Sequence, residues 1–206
     1  LHYVMEACAE NNIPVIILDR PNPNLHYLDG PVMEESYTSF LGMHPVPIVY
    51  GMTIGEYAQM INGESWLKEG LRCRLSIVPV ENYNRKSKYE LSVRPSPNLP
   101  NPQAISLYPS LCLLEQTVIS VGRGTDFQFQ IYGHPKLPKS NFTFTPLPNF
   151  GAKNPKLKDH LCYGKNLTKV IRPNQLELKW LIDAYKNLPK SNIFFLNGFN
   201  KIDGNS

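Results

Sequence analysis

In YPSLCLLEQTVISVGRGTD (residues 108–126) an apolar segment carries one carboxylate, Glu115. It runs through Val-Ile-Ser-Val into a Gly122-Arg123-Gly124 turn, followed by Thr125 and Asp126. Two glycines flanking an arginine open backbone conformations closed to other residues and clear space around the guanidinium. A planar, permanently charged fork so presented can hold an anionic ligand through two-point hydrogen bonds. The same residues support a structural reading, in which Arg123 is a turn arginine paired with Glu115 or Asp126.

A second charged constellation follows the apolar run VIIL (15–18), where Asp19 and Arg20 precede Pro21-Asn22-Pro23. The carboxyl end of a parallel strand is where open α/β sheets bind ligands, so Asp19 and Arg20 are site candidates. Their alternative role is a salt bridge that fixes the loop. Other chemistries find no pattern. The histidines at 2, 26, 44, 134 and 160 sit in no nucleophile elbow or Cys–His arrangement, and no Gly-x-Gly-x-x-Gly or Walker loop occurs. Cys8, Cys73, Cys112 and Cys162 are dispersed without a Cys-x-x-Cys pair, so free thiols are expected rather than a zinc site or disulfide scaffold. No metal and no cofactor is expected.

LHYVMEACAE has helical apolar spacing and stops at Asn11-Asn12. VIIL, apolar throughout, reads as a strand buried on both faces of a parallel sheet. LSIVPV (75–80) is its one good partner. Two strands do not make a doubly wound sheet, so further parallel strands are expected from outside these residues. A long loop runs to Thr53, which caps the helix TIGEYAQMIN, with Glu56 placed for a capping box or, alternatively, as a carboxylate facing a cleft. RPSPNLPN (94–101) reads as a rigid connector. It divides the chain into 1–94, part of a parallel-sheet domain, and 95–206, a smaller α+β domain. The second part is expected to hold helix from 102 to 115, strands near 118–121 and 127–132, an edge strand at 142–146 and a core helix at 173–188.

Hydrophobic residues make up 42% and charged residues 18%, the balance of a folded globular chain rather than a disordered one. No run approaches 18 uninterrupted apolar residues, so no membrane span is expected, and no signal peptide is visible. The net charge of +4 comes from scattered lysines, with mild clusters at Lys136–Lys139 and Lys153–Lys158 that read as solvated surface. No nucleic-acid motif accompanies them. Nineteen prolines concentrate in long ordered loops, where sites are often built.

ILDRPNP (17–23), DGP (29–31), PVPIVYGMTIGEYAQMINGE (45–64), RPSPNLPN (94–101) and GAKNPKLKDHLCYGKNL (151–167) occur in an order and spacing that closely resemble the bacterial exo-β-N-acetylmuramidase (NamZ-like) family. The resemblance runs from Leu1 to about Lys201. It implies an α/β protein with a Rossmann-like first domain, a smaller second domain and a cleft between them. It implies exo-acting release of terminal β-linked N-acetylmuramic acid from peptidoglycan fragments, outside the cytoplasmic membrane. The family's proposed catalytic glutamate sits in an upstream Ser-Pro-Glu-His-Gly motif. No Glu-His pair occurs in residues 1–206, so that residue is expected outside them. Tyr50, Asn98 and Tyr108 become candidates for stacking on or hydrogen-bonding a sugar, beside Glu115, Arg123, Asp19, Arg20 and Asp126. Two positions depart from the family: Tyr50 replaces a usual histidine, and Gln116 a common glycine. A binding protein without catalysis, or a hydrolase of another acidic glycan, are the alternatives.

Overall fold

Helices and short strands alternate along the chain: α1 (His2–Glu10), β1 (Val15–Leu18), β2 (Asp29–Val32), β3 (Pro47–Val49), α2 (Ile54–Gly63), β4 (Leu75–Val78), α3 (Pro102–Leu111), β5 (Ile131–His134), β6 (Thr143–Phe144), β7 (Cys162–Asn166) and α4 (Lys179–Asn187). The structure, a computed structural model, describes residues 1–87, 89–190, 193–197 and 199. It is an α/β fold with parallel and antiparallel pairing. The chain forms two compact units. One comprises Leu1–Leu28 and Tyr50–Tyr89, the other Asp29–Val49 and the chain from Glu90 onward.

In the first unit β1 pairs with β4 in parallel, from Val15 opposite Leu75 to Leu18 opposite Val78. Helix α2 connects them, giving the β–α–β crossover that parallel strands require. The capping box forms as expected. The Thr53 hydroxyl accepts from the Glu56 amide at 3.2 Å, and Glu56 Oε2 accepts from the Thr53 amide at 2.9 Å. Met5 of α1, Ala58 and Ile61 of α2, and Cys73 form a buried cluster against Val15, Ile17 and Leu75. The helices thereby cover one face of the strand pair. The expectation that VIIL is buried on both faces does not hold among the described residues. Side chains alternate across a strand, and Ile16 and Leu18 on the second face are 67% and 72% exposed.

The second unit is built around α3. Asn101 caps it, its side chain accepting from the Ala104 amide at 2.9 Å, and Pro102 occupies the first turn, where its missing N–H is harmless. Leu107 and Leu111 of α3 pack with Leu114, Ile119, Phe129, Tyr132 and Trp180 in the main core. The antiparallel sheet has the order β5-β7-β6, so β6 lies at an edge, as FTFTP predicts. Residues 29–49, read from sequence as loop, contain the antiparallel pair β2–β3. The strand expected at 118–121 reduces to a single bridge between Ser120 and Gly133. The helix expected from 173 starts at Lys179 instead. The Leu176 amide donates to Asp29 Oδ2 and the Glu177 amide to Ser110 Oγ, which keeps both out of a helical ladder.

Candidate functional site

Glu115 sits on a 3₁₀ turn (Cys112–Gln116) that continues the buried helix α3. The chain then extends through residues 117–121 and reverses at Gly122 (φ 80°) and Gly124 (φ 81°). These left-handed conformations bring Arg123 back onto Glu115. A Cβ on Gly124 would lie 2.6 Å from the Leu147 carbonyl oxygen. Arg123 Nε donates to Glu115 Oε1 at 2.6 Å, and Nη2 to Oε2 at 2.9 Å. This is the two-point fork that the residue types suggested, formed with Glu115 and not with Asp126, which is exposed. The Arg123 and Glu115 side chains are 33% and 25% exposed, so the fork is anchored yet open to solvent. Its hydrogen bond to Glu115 raises the Arg123 pKa further. Nη1 donates to no partner among the described residues, which leaves a charged donor unused on a partly exposed side chain.

One aromatic ring lies against the guanidinium and a second packs on that ring. Arg123 Cζ lies 4.9 Å from the centroid of the Phe129 ring, within cation–π range. Tyr108 meets the same ring edge-on at 4.9 Å. Phe129 is buried and has φ 53°, an uncommon conformation for a bulky residue, stabilised by its amide's 2.8 Å bond to the Val121 carbonyl. This conformation also delays the strand expected at 127–132, so that β5 begins at Ile131. Burial raises the Tyr108 pKa and pushes the Cys112 thiol up to about 12, so Cys112 is no nucleophile.

Lys156 belongs to the Lys153–Lys158 cluster, which the sequence presents as solvated surface, and the structure gives it another role. Its Nζ donates to the carbonyls of Glu115 (2.9 Å), Thr117 and Ile119 (3.1 Å). Burial lowers its pKa to about 8, against the pull of Glu115. No local signal marks this lysine, because its acceptors lie some forty positions earlier in the chain.

The remaining candidates have other roles. Asp19 Oδ1 accepts from the amides of Arg20 and Gly55, both at 2.9 Å, and Oδ2 accepts from the Thr53 hydroxyl at 2.6 Å. Asp19 thus serves the start of α2, where backbone donors and the helix dipole favour an anion. The side-chain salt bridge to Arg20 does not form, and Arg20 is exposed. A cavity of about 370 Å³ lies at the carboxyl ends of β1 and β4, lined by Asp19, Thr53, Glu56, Tyr83, Asn84 and Arg85 among others. Tyr50 stacks on Tyr57 at 5.2 Å, and burial raises its pKa. Asn98 is buried, its Nδ2 donating to the Gly151 carbonyl at 2.8 Å. The structure therefore brings Glu115, Arg123 and Tyr108 together and leaves Asn98 as a loop fastener. Among the described residues no three His, Cys, Asp or Glu side chains gather to hold a metal.

Residues 1–103 match the family model for the N-terminal part of exo-β-N-acetylmuramidase NamZ, and residues 106–206 match that for its C-terminal part. The chain is 34% identical to the peptidoglycan β-N-acetylmuramidase NamZ of Bacillus subtilis (strain 168), over 98% of the chain and 53% of that protein. It thus spans about half the length of this curated relative. Two crystal structures of DUF1343 family proteins from Bacteroides fragilis also resemble it. One has a TM-score of 0.95 at 47% identity, the other 0.78 at 25%, each covering 98% of this chain and 59% of the solved one.

Proposed function

Because this chain belongs to the NamZ exo-β-N-acetylmuramidase family, we propose that its protein releases terminal β-linked N-acetylmuramic acid from peptidoglycan fragments. The observation that carries the reading within these residues is the Glu115–Arg123 fork. N-acetylmuramic acid bears a lactyl carboxylate that N-acetylglucosamine lacks. An enzyme selecting it at a chain end needs a cation with spare donors. Arg123 is held by Glu115 through Nε and Nη2 and lies over the Phe129 ring, which leaves Nη1 as the donor for a carboxylate. Tyr108 beside it offers an aromatic edge and a hydroxyl.

Glycoside hydrolysis needs carboxyl groups at the scissile bond and support for an oxocarbenium-like transition state. By family resemblance the reacting glutamate is assigned outside residues 1–206. We read the β1–α2–β4 crossover as part of a Rossmann-like domain, and the protein as exported, since its substrate lies outside the cytoplasmic membrane. No cofactor enters this reading. Among the described residues no helix is long and apolar enough to cross a membrane.

The test is Arg123→Ala in the full-length protein, with muramyl and glucosaminyl substrates compared. Discrimination between them should fall at least about tenfold, equivalent to about 1.4 kcal/mol of charge-assisted bonding. Unchanged discrimination removes Arg123 from the subsite. A second reading, a muropeptide-binding protein without catalysis, is favoured by Tyr50. Its half-buried phenol replaces a titratable imidazole and has no charge change near neutral pH. Turnover of a chromogenic muramic acid glycoside separates the two readings.

A further inference from the structure

Lys156 has three N–H donors and meets three backbone carbonyls, those of Glu115, Thr117 and Ile119. Every donor is used, so this ammonium has none left for a ligand. The three carbonyls belong to alternate residues of one extended segment. That segment joins the turn carrying Glu115 to the Gly122–Gly124 reversal carrying Arg123. Its pairing is confined to two isolated antiparallel bridges, Thr117 with Phe195 and Ser120 with Gly133, the Val118 amide donating to the Phe194 carbonyl at 3.0 Å and the Leu196 amide to the Gln116 carbonyl at 2.8 Å. That pairing uses backbone groups of residues 116, 118 and 120, and the Lys156 ammonium takes the alternate carbonyls of 115, 117 and 119.

We propose that Lys156 is the positioning residue of the fork, and that its ammonium holds residues 115–119 in the arrangement that lets Glu115 meet Arg123 at two points. The consequence for ligand choice rests on the assignment of Arg123 to the lactyl carboxylate. The holding role does not.

The geometry gives this role a protonation signature. A neutral amine has two N–H donors and a lone pair, so deprotonation leaves one carbonyl without a donor and facing that lone pair. The charged and titratable groups that act on Lys156 are Glu115, which favours the ammonium, and Arg123, which opposes it. His134 stands nearby, buried, with Nδ1 accepting from the Lys136 amide at 3.0 Å. Burial, with Lys136 and Lys156, lowers its pKa below the usual histidine value, so His134 stays neutral above neutral pH. Burial places the Lys156 transition near pH 8 rather than in the usual lysine range.

The experiment follows the Arg123 Nε–H resonance by ¹⁵N-edited NMR from pH 6.5 to 9.5 in the unmodified protein, in Lys156→Met and in Lys156→Gln. The affinities of all three for free N-acetylmuramic acid and N-acetylglucosamine are measured by calorimetry. In the unmodified protein the Nε–H signal should be sharp below pH 8 and broaden as pH rises through it. It should be weak and pH-independent in Lys156→Met. Lys156→Gln, which restores up to two N–H donors, should fall between them. The preference for muramic acid should follow the signal, falling at least about fivefold in Lys156→Met, a change of about 1 kcal/mol. A sharp, pH-independent Nε–H signal in either folded variant overturns the proposal, as does a signal in the unmodified protein that ignores pH across this range. If the signal behaves as expected while the unmodified protein shows no preference between the sugars, the positioning role stands and the assignment of Arg123 to the lactyl carboxylate falls.

Discussion

A double-mutant cycle on Glu115 and Arg123 measures the fork on which the reading depends. Glu115→Gln and Arg123→Met are made singly and together, and urea unfolding is followed at pH 7 and 25 °C. Two unit charges about 4 Å apart attract by about 4 kcal/mol at an effective dielectric near 20, before desolvation is subtracted. Fully exposed pairs retain only about 0.2–1 kcal/mol of this. The side chains here are 33% and 25% exposed, the bond lengths are 2.6 and 2.9 Å, and the guanidinium lies 4.9 Å from the Phe129 ring. The expected coupling is therefore about 1–2 kcal/mol. Cation–π loss occurs in both arms that remove Arg123, so the cycle cancels it. Raising salt to about 0.5 M should leave most of the coupling, since a partly buried pair is screened less than a surface one. Coupling below about 0.3 kcal/mol would refute the argument that the fork is a fixed element of the fold, because values that small are what independent sites give.

Gly124→Ala should destabilise by about 2 kcal/mol or more. The left-handed conformation alone costs a non-glycine residue about 1–2 kcal/mol, and the new Cβ meets the Leu147 carbonyl at 2.6 Å. Chemical denaturation reads this directly, and a loss under about 0.5 kcal/mol would show that the turn relaxes without cost. Asp183 predicts the acid limb of stability. Burial opposes its charge, but the Tyr132 hydroxyl at 2.7 Å and Lys165 at 2.9 Å outweigh that and hold its pKa below the usual carboxylate value. A depressed carboxylate pKa stabilises the fold above the unfolded value and loses that contribution as pH falls through the carboxylate range. Melting temperature against pH should thus drop less steeply below pH 4 in Asp183→Asn than in the unmodified protein, and parallel curves would contradict it.

What the sequence shows by itself divides along physical lines. The capping box at Thr53 and Glu56, the glycine-flanked Arg123 turn and the edge strand at 143–144 are local. Each depends on residues within a few positions, and each is legible. The extent of α4 is not legible, because periodicity at 173–178 cannot show that Asp29 and Ser110 claim the amides of Leu176 and Glu177. Asp19 was legible as a residue at a strand's carboxyl end, yet its role as a cap depends on α2 being brought beside it. Lys156 was invisible, since a lysine among lysines looks solvated until the carbonyls of residues 115–119 are placed around it. β7 escaped notice because Cys-Tyr-Gly-Lys-Asn has neither alternation nor a β-branched residue.

The segment Asp29–Val49 groups with the second unit although both its flanks belong to the first. Its bond from Asp29 to the Leu176 amide closes a loop of 147 residues. No single cut in the chain can therefore part the two units into intact halves. A break near residue 90 strands β2 and β3 with the wrong fragment, and one near residue 29 divides the first unit. Synthesis meets the same constraint. β2 and β3 leave the ribosome well before Leu176, and must wait for a partner whose capture requires closure of that long loop. Such non-local pairing slows folding more than it weakens the finished structure, because closure entropy grows only as the logarithm of loop length. Shuffling this fold into separate modules would require excising the 29–49 excursion and grafting it beside Glu90.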